Sequence, residues 1–135
     1  MITSVETVMV RHLNQLKEEI SLYQHEADVW KVSGEISNTA GNLCLHLCGN
    51  LQYFIGTILG DTGYVRKRDD EFNLKNIPKV ELEEQVNVTI NVIQDTLSKL
   101  SSDDLKANYS VEVFGEPMTT EFFLIHLTSH LGYHL

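Results

Sequence analysis

The sequence is poor in cysteine and in basic residues, and each shortage excludes a class of protein. Two cysteines in 135 residues are too few for the disulfide framework that stabilises small secreted domains. Ten lysines and arginines against 19 aspartates and glutamates give a formal net charge of −9. Nucleic acids need a basic face, and anionic membranes attract basic clusters, so we expect neither as a partner.

Long apolar runs and targeting signals are scarce as well. The most hydrophobic stretch, residues 43–60, contains His46, Asn50 and Gln52 and barely reaches the roughly 20 residues that a membrane-spanning helix needs. The first six residues lack the basic and apolar regions of a signal peptide. We therefore expect a cytoplasmic protein with reduced thiols, in which residues 43–60 form a buried core helix.

The apolar residues that are present, 42% of the chain, suffice for one core, and the length predicts a single domain over residues 1–135. Apolar residues spaced three and four apart predict four helices. These run from about Ser4 to Tyr23, from Ser37 or Asn38 to about Leu59, from Pro78 to about Leu100, and from about Thr119 to the end. Alternation over residues 109–114 predicts a short strand-like stretch.

Three of the six histidines lie on one side of the last predicted helix. At about 100° per residue, His126 and His134 fall about 40° to either side of His130, in the same arc as Phe123 and Leu127. Two histidines four residues apart can close on one metal ion, because their side chains project one turn apart on one face. We predict that His130 and His134 bind metal, and that His126 packs near them or replaces one ligand.

The second predicted helix carries a polar stripe centred on His46. Asn50 and Tyr53 lie within about 40° of it, and burial of such a stripe is costly unless its groups find partners. A lone histidine on an apolar face is most often a satisfied core residue, but three imidazoles in one bundle would compete for scarce partners. We therefore predict a divalent metal ion on His46, His130 and His134, with Asn50 and Tyr53 as candidate contacts to a substrate or cofactor.

Other polar residues give weaker signals. Cys44 and Cys48 face the side of the helix opposite His46, so they cannot share its metal and are expected to pack against a neighbour. Arg66 and Arg68 are candidates to clamp an anion, although pairing with nearby carboxylates in a solvated loop is the favoured interpretation. Three protein ligands leave one coordination position open, which is typical of catalytic rather than structural metal sites.

Three segments match the pattern of a known family: residues 46–51, His-Leu-Cys-Gly-Asn-Leu; the charged run at residues 66–72; and residues 130–134, His-Leu-Gly-Tyr-His. On these the chain resembles the DinB/YfiT-like superfamily of bacterial metal-binding four-helix bundles. The resemblance implies an all-α four-helix bundle with a long crossover connection between helices 2 and 3. It also implies a nickel or zinc ion on the three matching histidines, and a homodimer.

The resemblance further implies a reaction. Better understood relatives use the metal to activate a low-molecular-weight thiol, such as bacillithiol or mycothiol, so we expect a metal-dependent transferase that acts on a small-molecule substrate. Two alternatives stay open. The same centre would serve a hydrolase that uses metal-bound water, or the chain is a non-catalytic, stress-related binding or scaffold bundle.

Overall fold

Helices account for nearly all the regular structure in the residues that the computed structural model describes, 2–32 and 38–135. The six α-helices are α1 Ile2–Ser21, α2 Ala40–Leu51, α3 Arg68–Asn73, α4 Lys79–Leu97, α5 Ser102–Lys106 and α6 Thr120–His134. A 3-10 helix, Glu26–Trp30, follows α1, and α2 continues directly into a π-helical turn, Gln52–Thr57. Among these described residues, no helix is long and apolar enough to cross a membrane.

The four long helices, α1, α2, α4 and α6, form a bundle because each buries an apolar face. α1 packs against α4 and α6, and α2 packs against α4. The buried residues of α1 are Val5, Met9, Leu13, Leu16 and Ile20, spaced as the sequence predicts. Full burial of such a side chain contributes about 1.5–3 kcal/mol. The all-α four-helix bundle with a long connection between its second and third long helices is thereby confirmed.

Threonine side chains set where α2 and α6 begin. The hydroxyls of Thr39 and Thr119 each accept a hydrogen bond from the backbone N–H three residues later, which satisfies a donor that the first turn leaves free. The N-cap of α2 is therefore Thr39 and not Asn38. Ser37, the other residue at which the sequence predicts the helix to begin, lies outside the described residues.

Residues 109–114 do not form the expected strand; the described residues there contain turns, flanked by one isolated antiparallel bridge between Asn108 and Thr119. A strand needs a neighbour along its length, and in the described structure the antiparallel pairing does not extend beyond the first residue of this stretch, where the backbone N–H of Tyr109 donates to the carbonyl of Met118. Tyr109 anchors it instead, because its hydroxyl donates to the backbone carbonyl of Phe54. The ring of Phe114 lies 4.7 Å from that of His126, so the segment folds over the side of α6.

The crossover connection between α2 and α4 is held against the beginning of α2. Nδ2 of Asn42 donates to the backbone carbonyls of Glu71 and Leu74, at 3.0 and 2.9 Å. α3, in the middle of the connection, packs along α2 as a result. This anchoring brings a charged segment of the crossover next to the polar stripe of α2.

Candidate metal centre

The side chains of His46, His130 and His134 meet between α2 and α6. The ring centroid of His46 lies 5.4 Å from that of His130 and 5.7 Å from that of His134, and the last two are 4.5 Å apart. Each ring offers one nitrogen, and these three nitrogens lie within 4.8 Å of one another. The structure therefore brings together the histidines that the sequence selects.

The spacing of these nitrogens suits a divalent ion. Nε2 of His130 and Nε2 of His134 are 3.1 Å apart. Two nitrogens that bind one ion at about 2.1 Å with a tetrahedral angle would lie roughly 3.4 Å apart. The pair on α6 is thus close to a metal-binding arrangement, and His46 is near enough to supply a third ligand.

The environment of His130 and His134 favours the neutral imidazole, which is the form that binds metal. Burial, followed by the neighbouring His134 and His46, lowers the pKa of His130 to about 4. Burial also lowers the pKa of His134, with a smaller contribution from His46. Nδ1 of His130 is buried and finds no hydrogen-bond partner in the described part of the chain.

The carboxylate of Glu71, a residue that the sequence does not single out as part of the site, contacts the ring of His46. Oε1 of Glu71 lies 3.1 Å from Nδ1 of His46, within hydrogen-bond distance, and a proton on Nδ1 would leave Nε2 as the nitrogen available for a metal. Arg66 donates from Nε and Nη2 to the two oxygens of Glu71, at 2.8 and 3.0 Å. Burial raises the pKa of Glu71, but the hydrogen bonds from His46 and Arg66 outweigh it and the net pKa is lowered.

The interpretation of the charged run as a solvated loop needs correction. Arg66 does pair with a carboxylate of the run, but the exposed fractions of the Arg66 and Glu71 side chains are only 13% and 6%. Arg68, by contrast, is exposed. Gly49 was the sequence signal for this contact, because a glycine inside a helical pattern commonly has a packing reason. A Cβ at that position would collide with Oε2 of Glu71.

A cavity of 470 Å³ opens beside the three imidazoles. Arg66, Arg68 and Asn50 supply polar groups to its wall, and most of its other lining residues are aromatic or aliphatic. Small-molecule sites typically combine this size with a mainly apolar wall and a few polar groups. His126 lies on the wall, with its ring stacked 6.0 Å from that of Phe123, in keeping with a packing role.

Comparisons with known proteins agree with this fold. The family described as "Protein of unknown function (DUF1572)" matches residues 2–135. The chain belongs to the DUF1572 family. The crystal structure of a DinB-like protein from Bacillus cereus ATCC 10987 is similar with a TM-score of 0.67, at 14% identity over 91% of this chain and 78% of that one. At this identity the likeness shows the fold alone, which is DinB-like. No protein of curated function matches the DUF1572 chain.

Asn50 and Tyr53, the two residues predicted to contact substrate in this DUF1572 protein, differ in their position relative to the cavity. Asn50 lines the cavity, and its Oδ1 is buried with no hydrogen-bond partner among the residues described. Tyr53 does not line the cavity, whereas Phe54 does. The π-helical turn that begins at Gln52 adds a residue to the turn, so positions after it no longer follow the α-helical angles. The ring of Tyr53 packs against Phe54 instead, with centroids 5.0 Å apart.

The cysteines of the DUF1572 protein lie away from the histidines, as their angular positions predict. Cys44 and Cys48 are both free thiols in the described structure, with exposed fractions of 0% and 2%. The Sγ atom of Cys44 lies 3.9 Å from the carbonyl of Leu82 in α4. Hydrogen bonding to Cys48 and burial raise the pKa of the Cys44 thiol, which suits a packing role.

Proposed function

We propose that this DUF1572 protein binds one divalent metal ion, nickel or zinc, and activates a low-molecular-weight thiol, such as bacillithiol, for transfer to a small electrophile. The ligands would be His46, His130 and His134. The observation that carries the proposal is the meeting of three imidazoles, two of them with lowered pKa, beside a cavity of 470 Å³. A divalent ion held there would lower the pKa of a bound thiol and favour its thiolate.

The protein's own residues would bind and orient the thiol. The phenylalanines of the wall, which include Phe54, would offer apolar contacts to the non-reacting part of the substrate. Arg68 is exposed at the cavity and is not among the residues that pair with Glu71, so it is the better placed of the two arginines to attract a carboxylate of the substrate. Asn50 would accept a hydrogen bond from the substrate through its buried Oδ1. A role for Tyr53 in contacting substrate stays a prediction.

Elemental analysis of the purified protein tests the metal site. We expect about one nickel or zinc ion per chain, and loss of that ion in His130→Ala. His25→Ala is the matched control, because His25 is exposed and lies outside the histidine group. A protein that binds no stoichiometric metal, or a His130→Ala variant that retains it, would contradict the site.

The reaction needs a separate experiment with the metal-loaded protein. Consumption of bacillithiol, mycothiol or cysteine in the presence of an alkylating electrophile is measured beside hydrolysis of ester and amide substrates. Thiol-dependent product formation that is lost in His130→Ala supports the transferase. Hydrolysis without thiol dependence would replace it with the hydrolase. A metal-loaded protein inactive in both assays, whose His46→Ala, His130→Ala double variant keeps its stability, supports the non-catalytic bundle.

A homodimer, which the DinB-like resemblance implies, is also proposed. α6 presents Phe122, Ile125 and Tyr133 to solvent, with exposed fractions of 57%, 49% and 86%. Exposed apolar side chains that cluster on one helix are typical of surfaces that another protein covers. Light scattering on the wild type and on Ile125→Glu measures the mass. A monomeric wild type would contradict the dimer, and an unchanged mass in the variant would move the interface elsewhere.

A further inference from the structure

We propose that Glu71 is a positioning residue for the candidate metal centre, and that the crossover connection contributes to the site in this way. Its carboxylate would fix the tautomer and ring orientation of His46, so that Nε2 faces His130 and His134. This inference rests on the proposed metal site, but it concerns a residue outside the ligand set. Ligating histidines commonly donate their second ring nitrogen to a carboxylate, which fixes the tautomer and makes the ligand more basic.

The carboxylate of Glu71 is fully engaged in this arrangement. Oε1 lies 3.1 Å from Nδ1 of His46 and 3.0 Å from Nη2 of Arg66, and Oε2 lies 2.8 Å from Nε of Arg66. The two-point contact with a planar guanidinium restricts rotation of the carboxylate as well as its position. Arg66 therefore orients the group that orients His46.

The backbone of Glu71 is fixed independently of its side chain. Asn42 lies one helical turn before His46 on α2, and its Nδ2 donates to the carbonyl of Glu71. Thr39 in turn donates to Oδ1 of Asn42 at 2.6 Å, which holds the amide in place. One face of α2 thus holds both ends of Glu71, the backbone through Asn42 and the carboxylate through His46.

The sequence of α2 provides the space that this contact requires. Gly49 lies three residues after His46, and the Glu71 carboxylate occupies the position that a Cβ would take. Glycine inside a helix is unfavourable by about 1 kcal/mol relative to alanine. The approach of Glu71 explains why glycine stands at this position, because any other residue would have a Cβ where the carboxylate lies.

Three variants and one control test the inference. Glu71→Leu removes the hydrogen-bond acceptor at similar size, and Glu71→Gln restores an acceptor without the charge. Gly49→Ala displaces the carboxylate of Glu71 without changing it. Asp69→Asn is the matched control, because it alters an exposed carboxylate of the same helix. The tautomer of His46 is measured by ¹⁵N–¹H correlation spectroscopy on the metal-free protein, where we expect Nδ1–H in the wild type and a shift towards Nε2–H in Glu71→Leu and Gly49→Ala.

The dissociation constant for Zn²⁺ is measured on the same proteins by competition with a chromophoric chelator. Loss of such a carboxylate partner typically weakens metal binding 10- to 100-fold, so we expect that change for Glu71→Leu, partial recovery in Glu71→Gln and no change in Asp69→Asn. The role would be overturned if folded Glu71→Leu kept both the wild-type tautomer of His46 and the wild-type affinity for Zn²⁺. It would also be overturned if Glu71→Leu and Glu71→Gln lost the same affinity for Zn²⁺ while both kept the wild-type tautomer.

The two measurements separate failure of this inference from failure of the proposed function. If the wild type binds no Zn²⁺, the proposed metal site is wrong, while the tautomer of His46 in the metal-free protein still decides whether Glu71 positions it. If Glu71→Leu does not fold, Glu71→Gln and Gly49→Ala decide the matter. A wild-type tautomer in folded Gly49→Ala would then overturn the role.

Discussion

Two cavities of similar size differ in how water reaches their polar groups. The larger, 590 Å³, lies where α4 ends and α6 begins, and its ionisable groups, Asp95, Lys99 and Asp104, are exposed. The cavity beside the histidines, 470 Å³, has both exposed and buried residues in its wall, and two of these, His46 and Arg66, are each paired with the buried carboxylate of Glu71. Water satisfies the charges of the first cavity, whereas the charges of Arg66 and Glu71 at the second are largely buried and need fixed partners. The candidate site is therefore distinguished by charged groups that need fixed partners, and not by the volume of its cavity.

Removal of one member of the buried ion pair is expected to give the largest effect. Arg66→Met leaves the carboxylate of Glu71 buried without its two-point partner, and breaking such a pair typically costs about 3–5 kcal/mol. Lys99→Met is the matched control in the larger cavity, where an exposed cation should change stability by no more than about 0.5 kcal/mol. The free energy of unfolding in urea measures both. Similar losses in the two variants would remove the distinction between the cavities.

Metal binding should stabilise the protein through one cavity only. An ion that binds only the folded state adds about 2.7 kcal/mol at a concentration 100 times its Kd. We expect Zn²⁺ or Ni²⁺ to raise the free energy of unfolding of the wild type, and His134→Ala to abolish most of that gain. Asp104→Asn, which removes a carboxylate from the larger cavity, should retain it. Equal loss in both variants, measured by thermal unfolding with and without chelator, would mean that the metal binds elsewhere.

The sequence predicts local features of the site better than it predicts contacts between distant segments. His46 and Asn50 lie in the regular part of α2, so their angular positions hold, whereas Tyr53 lies in the π-helical turn, where α-helical angles no longer apply. Glu71 is missed for another reason. It contacts His46 across 25 residues, and its burial depends on the path of the crossover, which periodicity does not report. Only Gly49 gave a local sign of that path.

Acid should weaken the metal-free protein in different pH ranges for the two cavities. The pKa of His130 falls from 6.5 to about 4 on folding, so the unfolded chain binds more protons between these values. Its contribution to stability is complete above pH 6.5 and is lost as the pH falls to about 4. The pKa of Asp104, lowered by hydrogen bonds from Ser101, lies below its ordinary 3.8, so its contribution is lost only below that value.

Urea unfolding of wild type and His130→Leu at a series of pH values in chelator measures the first of these ranges. We expect the difference between the two proteins to change between about pH 6.5 and 4, and to be constant above that range. A constant difference throughout would mean that His130 is not buried as a neutral ring. Acid titration of Asp104→Asn gives the corresponding measurement for the larger cavity, at lower pH.

The smallest effect is expected at the start of α5, beside the larger cavity. The hydroxyl of Ser101 accepts a hydrogen bond from the backbone N–H of Asp104 at 3.0 Å, and Oδ2 of Asp104 accepts one from the backbone N–H of Ser101 at 2.8 Å. Ser101→Ala removes half of this capping box and should cost about 1 kcal/mol. Because α5 has no residue in the histidine cavity, the Kd for Zn²⁺ should stay at the wild-type value. A higher Kd for Zn²⁺ in Ser101→Ala would show that the two cavities are coupled through α6. They would then be parts of one connected site, and the contrast between them would not hold.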